Sequence, residues 1–290
     1  MACDNREMSS GDRGQVRESV RGVPAPALRP FVASYCGYRE SGLPPGRHRG
    51  LPSPYLTLII TLDDQLQLAV HPDPLRPPSR YTTLLGGLHT TPAIISHQGR
   101  QSGIQLYLKP LGARILLGLP AGELAGLDTD ADRVLGPVAC ELHERVRAAQ
   151  TWPQRFAVLD EVLLGRLRDN HGVSPEVARA WRTLLASGGT AAVPELAREA
   201  GWSIRRLGTR FRTEIGLAPK QAARVVRFDR ARRLLQRRVA AAGRPELAGL
   251  AAACGYYDQA HLAREFRALA GCAPSRWLAE EFRNVQAAPA

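Results

Sequence analysis

The spacing of apolar and polar positions changes near residue 110. Before it, short apolar runs are broken by Pro, Gly and Asp. Residues 55–62 (YLTLIITL) are the clearest strand, and 66–70, 81–85, 93–96 and 103–108 are shorter ones. Short strands separated by turn residues predict a sandwich or a barrel. After residue 110 the stretches 111–117, 138–149 and 153–168 read as helices. In the last, Phe156, Leu159, Leu163 and Leu167 recur at helical spacing and make one apolar face. Residues 169–175 (DNHGVSP) form a loop ending on a helix-starting Ser-Pro, and helix and tight turn continue to about residue 285. Residues 1–22 are polar and read as a flexible tail. The predicted organisation is therefore α+β and multi-domain. A β-rich, barrel- or sandwich-like domain with following helices covers 23–170, and an all-α domain covers 175–285.

The helical part contains an internal repeat. Leu196, Ala197, Gly201 and Trp202 match Leu250, Ala251, Gly255 and Tyr256. After one inserted residue, Leu207, Phe211, Arg212, Gly216 and Pro219 match Leu262, Phe266, Arg267, Gly271 and Pro274. Each matched position has a task in a helix-turn-helix. Ala197 and Ala251 are small where two helices cross, and Gly201 and Gly255 suit a turn with positive φ. Ser203 and Asp258 are N-caps for the second helix of each pair, and Gly216 and Gly271 are its C-caps. Ile204, Leu207 and Phe211 are expected to face inward, as are Leu262, Phe266 and Leu269. The remaining edge carries Arg205, Arg206, Thr209, Arg210, Arg212 and Thr213 in the first copy. In the second it carries Gln259, Ala260, His261, Arg264 and Arg267. Arg, Gln and His side chains can bond base edges or phosphates in a major groove. A charged helical edge by itself is more often a solvated surface, so it is the duplication that gives these residues their weight.

Charge supports the same reading. The formal net charge is +12. Residues 175–290 hold 20 basic and 10 acidic side chains, whereas residues 1–174 hold 19 and 17. A genome rich in arginine codons explains why only Lys109 and Lys220 are lysines, but not why one half alone is unbalanced. A localised positive field is the electrostatic footprint of nucleic-acid binding. Between the two copies, residues 219–238 read as one helix with an apolar stripe of Val225, Val226, Phe228, Leu234 and Leu235. Eight basic residues against one acidic suit it to phosphate contact. At 1.5 Å per residue it spans about 30 Å, close to the ~34 Å between major grooves on one face of a duplex.

The stretches LAREAGWSIRRLGTRFRTEIGLAP (196–219), RARRLL (230–235) and GYYDQAHLAREFRALAGCAPSRW (255–277) resemble the DNA-binding domain of the AraC/XylS family of bacterial transcriptional regulators. The resemblance covers residues 190–277. It implies a bi-lobed helical domain with both recognition helices in the major groove of double-stranded DNA. By position it implies base reading by Arg205, Arg206 and Thr209 in the first helix and by Gln259, His261 and Arg264 in the second. Two positions depart from the family pattern. Gly208 stands where many members place a longer polar residue, which implies fewer bases read by the first helix. Leu262 replaces the usual aromatic, which implies a looser core. In the N-terminal part, PFVASY (30–35), PSPYLTLII (52–60) and PLGAR (110–114) resemble sensor domains joined to such regulators. These domains bind a small-molecule effector, mediate homodimerisation, or both. RNA polymerase is a further partner consistent with such a regulator.

Other chemistry finds little support. The five cysteines include no Cys-x-x-Cys pair, so neither a zinc knuckle nor a disulfide framework is indicated. His48, His71, His89 and His97 contain no His-x-His pair, and the isolated Gly86-Gly87 makes no phosphate-cradling loop. No catalytic residue, metal or cofactor is expected. An apolar leader and a membrane-length apolar run are both missing, so the expected setting is cytoplasmic, without a membrane partner. The helix over 153–168 fits a dimerisation face and a sheet cover equally well. Two other functions stay open: an architectural DNA-binding protein with an N-terminal dimerisation module, and a β-barrel enzyme fused to a DNA-binding domain.

Overall fold

The structure, a computed structural model, describes residues 15–167, 173–242 and 246–281. Its N-terminal half holds β1 (Val16–Gly22), β2 (Val32–Ser41), β3 (Gly46–Gly50), β4 (Leu56–Thr61), β5 (Leu66–Val70), β6 (Ser79–Tyr81), β7 (Thr83–Gly86), β8 (Ala93–His97), β9 (Gln101–Leu108) and β10 (Asp128–Asp130). They pair antiparallel in a six-stranded sheet, ordered β1-β2-β9-β4-β7-β10, and a four-stranded sheet, ordered β3-β8-β5-β6. Among the described residues no pairing joins the two sheets. Of the two architectures expected, the sandwich is the one found, and no barrel closes.

Alternation along β4 explains the layering. Leu56, Leu58 and Ile60 belong to the main core, while Ile59 joins Leu66, Leu68, Tyr81, Leu84, Ala93 and Ile95 in a smaller cluster between the sheets. The run over 81–85 is split at Thr82, whose carbonyl accepts from both the backbone N–H and the hydroxyl of Thr61.

The expected tail over 1–22 needs correction. Residues 1–14 lie outside the described residues, but Val16–Gly22 is a strand, in register with β2 from Val16↔Ser41 to Gly22↔Tyr35. It is an edge strand with one hydrogen-bonded neighbour, so its polar sequence VRESVRG does not betray it.

The helices α1 (Ala113–Leu117), α2 (Asp132–Leu135), α3 (Pro137–Ala148) and α4 (Trp152–Leu164) follow the sheets. A capping box starts α4: Thr151 Oγ1 accepts from the Gln154 N–H, and Gln154 Oε1 accepts from the Thr151 N–H. Its apolar face covers the six-stranded sheet. Phe156 stacks on Tyr35 at 5.8 Å, and Asp160 accepts the Tyr35 hydroxyl at 2.8 Å. Of the two roles left open for this helix, sheet cover is thus the one seen.

The C-terminal half holds α5 (Pro175–Ala186), α6 (Val193–Glu199), α7 (Ile204–Ile215), α8 (Pro219–Ala242), α9 (Leu247–Ala253), α10 (Gln259–Ala270) and α11 (Pro274–Glu281). Among the described residues no helix is long and apolar enough to cross a membrane.

The main core runs continuously from Leu28 in the first half to Trp277 in the second. Polar contacts join the halves as well. Arg114 grips Glu214 through two N···O contacts of 2.8 Å. On β3, the Arg49 backbone N–H and guanidinium both donate to the buried Glu281 carboxylate at the end of α11. Gly122 lies so close to the end of α7 that a Cβ would stand 2.4 Å from the Thr213 carbonyl oxygen. Gly122→Ala is therefore expected to push the halves apart at α7. Small-angle scattering should show a larger radius of gyration with unchanged circular dichroism.

Candidate nucleic-acid interface

The pairs α6–α7 and α9–α10 are two helix-turn-helix units with α8 between them. Each turns at a left-handed glycine, Gly201 at φ 65° and Gly255 at φ 72°, where any side chain would be strained. Leu196, Ala197, Leu250 and Ala251 are buried at the crossings. Each second helix begins on the expected cap: Ser203 Oγ accepts from the Arg206 N–H at 3.2 Å, and Asp258 Oδ1 accepts from the His261 N–H at 2.6 Å. Each ends at its left-handed glycine, Gly216 or Gly271.

Leu207 and Phe211 are fully buried in α7, as are Leu262 and Phe266 in α10. Ile204 is the exception. It was expected inside and is 54% exposed. It sits at the first helical position, beyond the crossing with α6, where the core has not yet begun. The looser core expected around Leu262 is not what the structure displays: Leu262 is 0% exposed, and Phe266 packs edge-on against Phe228 at 5.0 Å with Trp277 behind it at 5.7 Å.

The outward edge of α7 carries Arg205, Arg206, Thr209, Arg210 and Arg212, all exposed, and that of α10 carries Gln259, Arg264 and Arg267, also exposed. His261 is half-buried. Its Nδ1 accepts from the Tyr257 N–H and its ring stands edge-on to Tyr256 at 5.3 Å. Thr209 donates its hydroxyl back to the Arg205 carbonyl, so its oxygen keeps acceptor capacity toward a ligand. One contributor was not foreseen. Trp202, in the turn before α7, lies under the Arg206 guanidinium at 4.8 Å and fixes its direction. The sequence signal was an aromatic four residues ahead of an arginine at the start of a helix.

The two edges share an orientation relative to the N-terminal half. Both recognition helices approach it with their C-terminal ends: Gly216 lies beside the Ala121 carbonyl and Gly271 beside the Pro92 ring. Their N-terminal turns, which carry Arg205, Arg206 and Gln259, point away from those contacts. The first turn of a recognition helix is the part that meets base edges, and its unpaired N–H groups favour phosphate.

The linker helix behaves differently from expectation. It is 24 residues long, about 36 Å at the standard rise. Half of its eight basic side chains are occupied inside the protein. Arg224 is bidentate to Glu265, Arg227 donates to the Gly189 carbonyl and lies over Tyr256, and Arg232 and Arg233 share the buried Asp229. The hydrogen bonds that Arg224 donates to Glu265 hold the Arg224 pKa up, and burial raises that of the Tyr256 hydroxyl. Lys220, Arg230 and Arg237 are its exposed cations. The helix therefore leaves fewer cations free at its surface than its composition suggests.

Two capped, duplicated helix-turn-helix units with exposed basic edges define a DNA-binding regulator of transcription, and its C-terminal part is an AraC-type helix-turn-helix domain. Residues 196–280 match the family described as a helix-turn-helix domain, and residues 21–130 match a domain of unknown function (DUF6597). No curated protein sequence matches the chain. Among solved structures, ToxT from Vibrio cholerae is similar at 11% identity and a TM-score of 0.48, over 85% of this chain and 97% of that one. ToxT of strain SCE256 bound to an unsaturated fatty acid is similar at 10% identity and a TM-score of 0.48, over 94% of this chain and 98% of that one.

The local energetics of the recognition helices can be checked directly. Ser203→Ala and Asp258→Ala should each cost about 1 kcal/mol by loss of a cap. A Cβ on Gly208 would meet open space, so Gly208→Ala should add about 0.5–1 kcal/mol. Chemical denaturation of the purified chain reads all three.

Proposed function

We propose that this regulator binds a defined operator by placing α7 and α10 in successive major grooves of one duplex face. Arg205, Arg206 and Thr209 read bases in one groove, and Gln259, His261 and Arg264 in the other. Arg210, Arg212 and Arg267 bond phosphates beside them, with Lys220, Arg230 and Arg237 of the linker helix adding to the field. The observation that carries this reading is that both recognition helices present capped, exposed N-terminal turns while their opposite ends rest against the N-terminal half.

That half, over residues 15–167, acts in this reading as the sensor. It responds to a small-molecule effector or to a second copy of the chain, and its contacts with α7 and α11 carry the response to the DNA-binding domain, over residues 175–281. RNA polymerase is the onward partner once DNA is bound. No catalytic step is needed for any part of this.

Sequencing of DNA fragments retained by the purified full-length chain is the test. A small set of discrete sites with two half-sites about one helical turn apart supports the reading. Uniform retention supports an architectural protein instead. On a recovered site, Arg264→Ala should cost about 1–3 kcal/mol and relax preference at one base pair, whereas Arg267→Ala should weaken all sequences alike and lower the salt slope by about one unit. An unchanged base preference in Arg264→Ala would remove it from the reading set.

A further inference from the structure

An isoleucine stands at the head of the first recognition helix, outside the protein's own cores. Ile204 directly follows the Ser203 cap and is 54% exposed. It belongs to neither core cluster, nor to the apolar side chains packed against the main one. Scattered apolar residues are common on protein surfaces, so exposure alone decides nothing. Its place decides more: the same turn of α7 carries the exposed Arg205 and Arg206.

One turn further on stands a glycine that the protein itself does not require. Gly208 lies inside the regular helix, without the positive φ that would demand glycine. A Cβ built on it would meet nothing within 4 Å. Glycine inside a helix is destabilising relative to alanine, so neither conformation nor internal packing explains it. Ile204, Gly208 and Arg212 are spaced four residues apart and form one row on α7, beside the row of Arg205 and Thr209. A helical side chain covers the turn before its own Cα. The side chain that Gly208 lacks therefore leaves a recess next to Ile204, flanked by two arginines.

The second recognition helix has the same row in a different chemistry: Gln259, Ala263 and Arg267. There an amide, which both donates and accepts, takes the place of Ile204. An isoleucine can bond no base edge. It can only cover apolar surface, and the methyl group that a base edge presents in the major groove is the 5-methyl of thymine. Contact between the two removes apolar surface of both from water, which is favourable. The recess at Gly208 supplies room for such a group without a clash against the helix.

We propose that Ile204 and Gly208 together read a thymine: its 5-methyl group enters the recess at Gly208 and packs against the Ile204 side chain. The two recognition helices then differ in their means. α10 reads through hydrogen bonds from Gln259 and Arg264, and α7 reads partly through shape and apolar contact. Glycine at 208 does more than subtract a polar reader, because it makes room for a base substituent. This inference rests on the reading that α7 enters a major groove.

The test uses the full-length chain and an operator recovered from the retained DNA fragments. Each thymine is replaced in turn by deoxyuridine, which lacks only the 5-methyl group. Affinity should fall about three- to tenfold at one thymine, the scale of one buried methyl group. That thymine should lie in the half-site opposite the base pair that responds to Arg264→Ala. In Ile204→Ala the thymine and uracil operators should bind equally. Gly208→Ala should raise the melting temperature yet narrow the preference for thymine over uracil, a divergence that a purely structural role would not produce. The proposal is overturned if no thymine of that half-site responds to loss of its methyl group, or if the full preference survives in Ile204→Ala or Gly208→Ala. Failure of the groove reading is distinguishable: the unaltered chain would then retain no discrete operator, before any base is replaced, and the proposal would fall with it.

Discussion

The C-terminal half depends on how one helix tolerates burial of its arginines. α8 must pack against both helix-turn-helix units and against the sandwich, so Val225, Phe228, Ala231 and Leu235 are all fully or almost fully buried along it. Arg232 and Arg233 fall within the same crowded surface. Two guanidinium groups removed from water would be prohibitive alone. Asp229, one turn earlier and 5% exposed, accepts from Arg232 at 2.7 Å and forms an ion pair with Arg233 at 2.8 Å, and the Arg233 guanidinium lies 5.7 Å from the Tyr55 ring of the sandwich. The single carboxylate in a strongly basic helix is thus what lets that helix be central rather than peripheral. The positions of both DNA-facing units follow from it.

The repeat was legible because its determinants are local. A small residue at a crossing, a glycine at a turn, a cap and a 3-4 apolar pattern each act within a few residues, and all recur in the second copy. Ile204 was misplaced because periodicity gives a face but not where along a helix the neighbour begins. The linker arginines were misassigned for a related reason. Composition counts cations, whereas their destination depends on Glu265, the Gly189 carbonyl and Asp229, of which only Asp229 lies on the same helix. In the sheets, the runs at 56–61 and 66–70 stood out because one face or both are buried. Val16–Gly22 and the Gly46–Gly50 strand GRHRG did not, because edge pairing is satisfied by backbone and asks little of side chains.

The cavity between the two sheets and the C-terminal helices could not have been foreseen from any motif. Gln105 sits in an ordinary alternating strand, Arg232 in a basic helix and Trp277 at the end of a helix-turn-helix repeat. Separately each has a bland explanation. Only folding brings them together, from two halves of the chain, in the wall of one space. Function in this molecule is therefore distributed in two ways. The edges of the recognition helices are written in contiguous stretches, whereas the wall of the cavity is assembled by folding.

The N-terminal half abuts the rear of both recognition helices, through Ala121 at Gly216 and Pro92 at Gly271. It is thereby a block seated behind two prongs. Any displacement of the block alters the gap and tilt of the prongs together, and DNA offers only certain gaps. Coupling of this kind needs no new surface and no unfolding. A change of fit in the block becomes a change in which half-site separations the prongs can straddle.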